Sequence, residues 1–146
     1  MVNRIDVRRT WNGYSTQKKV VVLLLLVIVV PSLIFVFAPR NVVLYVSNQN
    51  DDDPYVNMTI TVDGDRVYSE MLFVADSHNW QKFSITIWGP FHDFKATNED
   101  NGISVSTAVF TPVQTYVIID YWGPPAFHNM GDYFTIQSML AEPAFM

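Results

Sequence analysis

The longest apolar stretch of the chain runs from Val20 to Ala38, 19 residues without one charged side chain. As a helix that rises about 1.5 Å per residue, it matches the roughly 30 Å hydrocarbon core of a bilayer. A cleaved signal peptide is the alternative, but its apolar region is usually about 7 to 15 residues long. Pro39 would also be an awkward first residue of a mature chain. The pattern therefore predicts a retained membrane helix over 20–38.

Pro31 lies in the middle of this predicted helix and removes one backbone hydrogen bond. Ser32 follows it and can donate its hydroxyl to the carbonyl that the proline frees, an adjustment that membrane helices tolerate. We therefore expect a kink at this position and not a break.

Beyond residue 40 the pattern changes to short apolar runs that are separated by turn residues. Val56, Met58 and Ile60 alternate with polar residues as in a half-buried strand, and Asp63 with Gly64 then supplies a tight hairpin turn. The same alternation recurs along most of this region. It predicts strands near 42–48, 56–63, 66–74, 80–88, 91–97, 103–110, 115–122 and 132–138.

These segments together predict an all-β fold, an antiparallel β-sandwich of about seven to eight strands preceded by one transmembrane helix. The segment 115–122 is apolar on both faces, which is typical of a central strand covered on both sides. If successive strands reverse direction, their longer connections gather at the membrane-distal end. The predicted organisation is a basic tail at 1–19, the helix at 20–38, the sandwich domain at 41–138 and an apolar C-terminal tail at 139–146.

The charges predict how the chain crosses the membrane. The first 40 residues sum to +5, whereas the remaining 106 sum to −10. Because positive residues stay on the cytoplasmic side, the N-terminus is expected in the cytoplasm and the sandwich domain outside it. An acidic domain also repels phosphates, so we expect no nucleic-acid partner. The predicted lipid contact is the segment 20–38.

The chain contains no cysteine. Disulfides, thiol nucleophiles and cysteine metal sites are therefore excluded, and an exported domain of about 100 residues must be held together by hydrophobic burial. The three histidines, His78, His92 and His128, lack the spacing of metal ligands on one strand or helix. No hydrolase, phosphate-binding or dinucleotide-binding motif occurs, so the sequence predicts a protein that is not an enzyme.

One pair of segments resembles a known class of module. The ITVDG hairpin at 60–64 is followed about 25 residues later by WGPFHDFKATNEDNG. Over residues 56–110 this strand and turn rhythm is similar to that of small exported Ig-like or PEGA-like β-sandwich modules, although the order here is Gly89-Pro90 and the usual glycine-tyrosine ending is absent. The resemblance implies a non-catalytic, surface-anchored β module that is an accessory to larger assemblies.

Acidic residues are concentrated in the loops expected at the distal end. Such a rim suits either a basic partner surface or Ca²⁺, which takes 6 to 8 oxygen ligands from carboxylates and carbonyls. Ca²⁺ is accordingly the one cofactor that the sequence suggests. The candidate metal or partner residues are Asp51, Asp52, Asp53, Asp76, Glu99 and Asp100.

Aromatic residues give a second candidate binding site. Trp80, Trp88, Tyr121 and Trp122 could together form a platform for sugar rings, or they could serve as core and rim packing. Asp120 lies inside an apolar run, where an ionised carboxylate needs hydrogen-bond partners, so we expect it to have a structural role.

The function that these patterns predict is a membrane-anchored, extracytoplasmic accessory or interaction subunit of a larger membrane-protein assembly. A cell-surface module that binds carbohydrate or Ca²⁺ is the alternative. The apolar residues of the C-terminal tail, Met139, Leu140, Phe145 and Met146, are expected to pack on the domain edge, on lipid or on a partner.

Overall fold

A computed structural model describes residues 15–50, 52–73, 80–123 and 134–144, and the chain divides into two units, Met1–Phe37 and Ala38–Met146. The described residues form one helix and eight strands, so the chain is mostly β, as predicted. In chain order these elements are α1 (Thr16–Phe37), β1 (Pro39–Asn48), β2 (Tyr55–Val62), β3 (Asp65–Phe73), β4 (Gln81–Trp88), β5 (Phe91–Asn98), β6 (Ile103–Phe110), β7 (Thr115–Tyr121) and β8 (Phe134–Met139).

Helix α1 begins four residues before the predicted span and ends one residue before its end. It contains no buried residue, and it is long and apolar enough to cross a membrane, a test that a signal sequence also passes. The helix continues through Pro31, as expected. The Ser32 hydroxyl donates to the Ile28 carbonyl at 2.7 Å. We had expected the acceptor to be the carbonyl that Pro31 frees. That prediction was wrong, because a proline at position 31 frees the carbonyl of Val27, four residues earlier, and not that of Ile28.

The strands form two four-stranded sheets, with the orders β4-β1-β7-β8 and β3-β2-β5-β6. Five of the six strand pairs among the described residues are antiparallel, as predicted, whereas β1 and β7 are parallel, which was not predicted. The reason lies in the alternation itself. Strands that reverse direction in succession place all odd-numbered strands in one direction, and two odd-numbered strands are neighbours here.

Both sheets contribute to a single hydrophobic core. Val56, Met58, Ile60 and Val62 on β2 are all buried, which confirms the predicted inward face of that strand. The largest fully buried side chains in this cluster come from β7, β5, β8, β1 and β2, and they are Tyr121, Phe94, Phe134, Leu44 and Met58. A core shared by two sheets is the arrangement that a β-sandwich requires.

Strand β7 is covered on both faces, as its pattern predicts, since six of its seven residues are buried. Its outward face contributes Ile118 to a second small cluster with Val43 and Tyr45, against which Met139 packs. The Tyr45 hydroxyl donates to the Glu142 carboxylate at 2.7 Å. Part of the C-terminal tail therefore packs on the outer face of this sheet, although Leu140 is exposed. Phe145 and Met146 lie outside the described residues.

We call the end of the two-sheet domain at which β1 begins the near end, and the end at which β1 finishes the far end. At the near end, the Gly89 amide donates to the Ala38 carbonyl at 3.3 Å, and the Thr111 amide donates to the Pro90 carbonyl at 2.7 Å. At the far end, the Gln49 amide donates to the Tyr121 carbonyl at 2.7 Å. The tight connections therefore meet at the near end, as the alternation of strands predicts.

His92 joins the near-end turns to one another. Its Nδ1 lies 2.6 Å from the Asp63 carboxylate and its Nε2 lies 2.8 Å from the Gly89 carbonyl oxygen, while the residue is buried. Both partners carry hydrogen-bond acceptor oxygens. Partial burial raises the pKa of Asp63, but hydrogen bonds from the Asp93 amide and from His92 outweigh this effect and lower that pKa overall.

The turn between β2 and β3 has the predicted hairpin geometry. The φ of Asp63 is 53° and that of Gly64 is 89°, as a type I′ hairpin requires.

Gly123 gives a test of the far-end packing. Its φ is +80°, and an added Cβ would overlap the side-chain amide of Asn50, whereas at Gly102, with a φ of +72°, an added Cβ would meet nothing within 4 Å. Gly102→Ala should lower the free energy of unfolding by about 1 kcal/mol through backbone strain alone. Gly123→Ala should lower it by about 2–4 kcal/mol, because Asn50 must also move. Thermal unfolding of the full chain in detergent measures both, and equal losses would contradict this account.

Candidate interaction surface

Four of the six predicted rim carboxylates lie among the described residues, and all four are at the far end. Asp52 and Asp53 lie in the β1–β2 connection, and Glu99 and Asp100 lie in the β5–β6 connection. Asp51 and Asp76 lie outside the described residues. The structure therefore brings two acidic loops to one end of the domain, as the alternation of strands predicts.

Asp100 has a local structural partner. Its carboxylate accepts the Asn57 backbone amide at 2.9 Å and the Asn57 side-chain amide at 2.6 Å. The Glu99 amide in turn donates to the Asn57 carbonyl at 2.8 Å. The bonds from the Asn57 backbone and side chain hold the pKa of the Asp100 carboxyl below its usual range. Both oxygens of this carboxylate are thus used to fasten the β5–β6 loop to β2.

The β1–β2 loop is organised by two buried asparagines. The Asn48 side chain accepts the Asn50 amide at 2.9 Å and donates to the Asp53 carbonyl at 2.8 Å. The Asn50 side chain accepts the Asp52 amide at 3.2 Å. These bonds hold the loop through its backbone, so they fix the positions from which the two aspartates project.

The described residues contain no group of three His, Asp or Glu side chains that is placed to hold a metal ion. Two of the six rim carboxylates, Asp51 and Asp76, lie outside that part of the chain, and both oxygens of Asp100 already accept hydrogen bonds. The Ca²⁺ site suggested by the sequence therefore stays a prediction, to which the described geometry adds no ligand set.

The four predicted platform aromatics do not share one surface. Tyr121 is buried in the core, where its ring centroid lies 5.1 Å from that of Phe134. Trp80 packs against the second cluster, and the Trp122 indole donates to the Thr135 hydroxyl at 3.2 Å. Trp88 is exposed, but it is the last residue of β4 and so lies at the near end. The sugar-binding hypothesis has no assembled platform among these side chains.

An apolar patch that the sequence analysis missed lies at the far end, on the outer face of the second sheet. Tyr55 pairs with Phe73 across β2 and β3, with ring centroids 5.0 Å apart, and Met71 lies two residues before Phe73 on the same face. All three side chains are at least half exposed. We call Tyr55, Met71 and Phe73 the far-end patch. The signal for it was present, since these apolar residues occupy the outward positions of strands whose inward positions are already apolar.

A shallow depression of about 200 Å³ adjoins the far-end patch on strands β2 and β3. Glu99 and Met71 line it, and so do Thr59 and Ser69, whose hydroxyls are 3.2 Å apart. Among the described strands, β3 also lies at the edge of its sheet and pairs on one side with β2. An apolar centre with acidic neighbours beside a sheet edge is suited to a protein partner with a basic rim.

Asp120 belongs to a hydrogen-bonded network on the outer face of the first sheet. The Ser47 hydroxyl donates to its carboxylate at 2.7 Å, and Gln49 donates to the Ser47 oxygen at 2.7 Å. Burial raises the pKa of Asp120 to about 6, and bonds from the Ser47 and Thr135 hydroxyls limit the rise. The hydrogen-bond partners expected for Asp120 are therefore present, and they are the hydroxyls of Ser47 and Thr135.

This network predicts a dependence of stability on pH. The folded state binds the Asp120 proton more tightly than the unfolded state does, so the stabilisation is complete below about pH 4 and is lost as the pH rises through about 6. Asp120→Asn removes this titration. Relative to wild type, the variant should gain about 2–3 kcal/mol between pH 4 and pH 7.5, measured by unfolding of the full chain in detergent. A difference that is the same at both pH values would contradict the burial of this carboxylate.

Comparison with known proteins finds no matching family model, no similar curated protein and no similar solved structure. The resemblance to Ig-like or PEGA-like modules therefore stays a prediction. The function has to be argued from the residues of this chain alone.

Proposed function

We propose that this chain is a single-pass membrane protein whose β-sandwich domain lies outside the cytoplasm. The domain acts as a non-catalytic interaction subunit of a larger membrane-protein assembly. The observation that carries the proposal is the far-end patch, an exposed apolar surface at the opposite end of the domain from the point where the chain enters it after helix α1.

Membrane anchoring is supported by the surface of helix α1. Its side chains from Val20 to Phe37 are almost all exposed and none is charged. Burying one large aliphatic or aromatic side chain is worth about 1.5–3 kcal/mol, so a bilayer stabilises this helix far more than water does. The uncharged segment exceeds the usual length of a signal-peptide apolar region, which favours retention over cleavage.

The orientation is supported by the residues on either side of the helix. Lys18 and Lys19 lie in its first turn, and residues 1–14 contain three arginines. Residues 41–65, by contrast, contain no Lys or Arg. This asymmetry favours a cytoplasmic N-terminus. The β-sandwich domain then lies on the other side of the membrane, where a fold without cysteine is insensitive to the redox state of the compartment.

The recognition surface is the far-end patch together with its acidic neighbours. Tyr, Phe and Met are enriched at the centres of protein interfaces, and a polar rim commonly surrounds them. Glu99 supplies an acidic neighbour of this kind beside Met71. The partner that fits is a membrane-protein subunit with an apolar contact surrounded by basic side chains.

A photo-crosslinking residue at position 55 tests this function in intact cells that express the full chain. It should give one discrete adduct with a membrane protein, because Tyr55 lies at the centre of the proposed interface. Met71→Ser should weaken that adduct roughly fivefold or more, the effect of losing over about 1 kcal/mol of interface energy.

The matched control is Thr86, an exposed residue on the outer face of the other sheet. A crosslinker placed there should give no such adduct, and Thr86→Ser should leave the adduct at position 55 unchanged. Equal crosslinking from positions 55 and 86, with the protein at its normal level, would refute the proposal.

A further inference from the structure

Four exposed apolar side chains lie at the near end of the domain. Trp88 ends β4 and is 68% exposed, and Phe91 begins β5 and is 72% exposed. Phe110 ends β6 opposite Phe91, with ring centroids 4.9 Å apart, and Val113 lies in the connection from β6 to β7. We call these four residues the near-end set. The whole length of the strands separates them from the far-end patch.

The backbone that presents the near-end set is held by several hydrogen bonds. The connection 89–90 is fastened by the bond from the Gly89 amide to the Ala38 carbonyl and by the buried His92 ring. The Thr111 amide holds the β6–β7 connection to the Pro90 carbonyl at 2.7 Å. These apolar side chains therefore project from well-supported turns and do not belong to a loop without contacts.

Chain connectivity limits how far this end can lie from the last residue of helix α1. Only Ala38 separates Phe37, where α1 ends, from Pro39, where β1 begins, and Trp88 pairs directly with Pro39. With about 3.8 Å between consecutive Cα atoms and about 5 Å across a strand pair, the Cα atom of Trp88 lies within roughly 13 Å of that of Phe37. The headgroup layer on each side of a bilayer is roughly 5–8 Å thick.

We infer that the near-end set lies in the lipid headgroup layer and seats the domain on the membrane surface. The inference rests on the proposed anchoring by α1. Aromatic side chains, Trp above all, are favoured at the boundary between lipid and water, where their rings replace water with lipid. The occupant of this surface is thus the bilayer that holds α1.

The charged groups around the near-end set do not oppose this contact. The Asp63 carboxylate accepts hydrogen bonds from His92 and from the Asp93 amide, and the Asp93 carboxylate accepts the Ser106 hydroxyl at 2.5 Å. Asp65 is exposed, but Arg66 follows it with the opposite charge. The association is therefore apolar in origin, and it should occur on zwitterionic lipid and should not weaken with salt.

Single cysteines test the inference, since the chain contains none of its own. The full chain is reconstituted in phosphatidylcholine vesicles that contain a lipid with a nitroxide quencher on its headgroup, and one fluorophore is attached at a time. The matched pair is Val113→Cys at the near end and Met71→Cys at the far end, which replace side chains that are 57% and 58% exposed. Phe91→Cys gives a second near-end position.

Because β1 alone spans about 30 Å, near-end labels should be quenched at least about threefold more than the far-end label. Equal quenching at the two ends, or near-end labels as unquenched as the Met71→Cys label, would overturn the inference. Failure of the anchor itself is distinguished by alkaline carbonate washing, which would then release the chain from the vesicles and refute both proposals. Unchanged circular dichroism of each variant establishes that the labels report on the folded domain.

Discussion

The hydrophobic core shared by the two sheets is the interaction on which the rest of this structure depends. The chain has no cysteine, and helix α1 contributes no buried residue, so the domain is stabilised chiefly by side chains that point inward from both sheets. Alternation along each strand then decides what faces outward. The exposure of Tyr55 and Met71 at one end, and of Trp88 and Phe91 at the other, follows from their positions between inward residues.

The reversal of direction between successive strands separates the two surfaces. The two-residue turns 63–64 and 89–90 lie at the end where β1 begins, and the acidic β1–β2 and β5–β6 loops lie at the end where β1 finishes. Buried polar groups serve this arrangement, since His92 joins the near-end turns and Asn48 organises a far-end loop. In the proposed function the far end binds a protein subunit, and in the further inference the near end is seated on lipid.

Much of the fold was predictable from the sequence, because alternation reveals which residues face a core. All eight strands lie close to their predicted positions, and β7 is covered on both faces. Alternation does not reveal which strands are neighbours, so the parallel pair of β1 with β7 was missed. It also gives no account of single long-range contacts such as that between Tyr45 and Glu142.

The candidate sites were less predictable, for a related reason. A run of carboxylates indicates negative charge but not which oxygens are already used, as those of Asp100 are by Asn57. Four aromatic residues were grouped by their residue type, although Tyr121 enters the core and Trp88 ends a strand at the opposite end of the domain. The far-end patch requires the pairing of Tyr55 with Phe73, which is known only once the strand register is known.

The most direct test of the central claim is the side of the membrane on which each part of the full chain lies. Single cysteines can be introduced as Ser84→Cys, at an exposed position of β4 that belongs to neither proposed contact surface, and as Asn3→Cys, and treated in intact cells with a thiol reagent that does not cross membranes. The account predicts that the cysteine at position 84 reacts in intact cells and that the one at position 3 reacts only after permeabilisation. Reaction of both in intact cells, or recovery of a soluble chain that begins near Pro39, would contradict it.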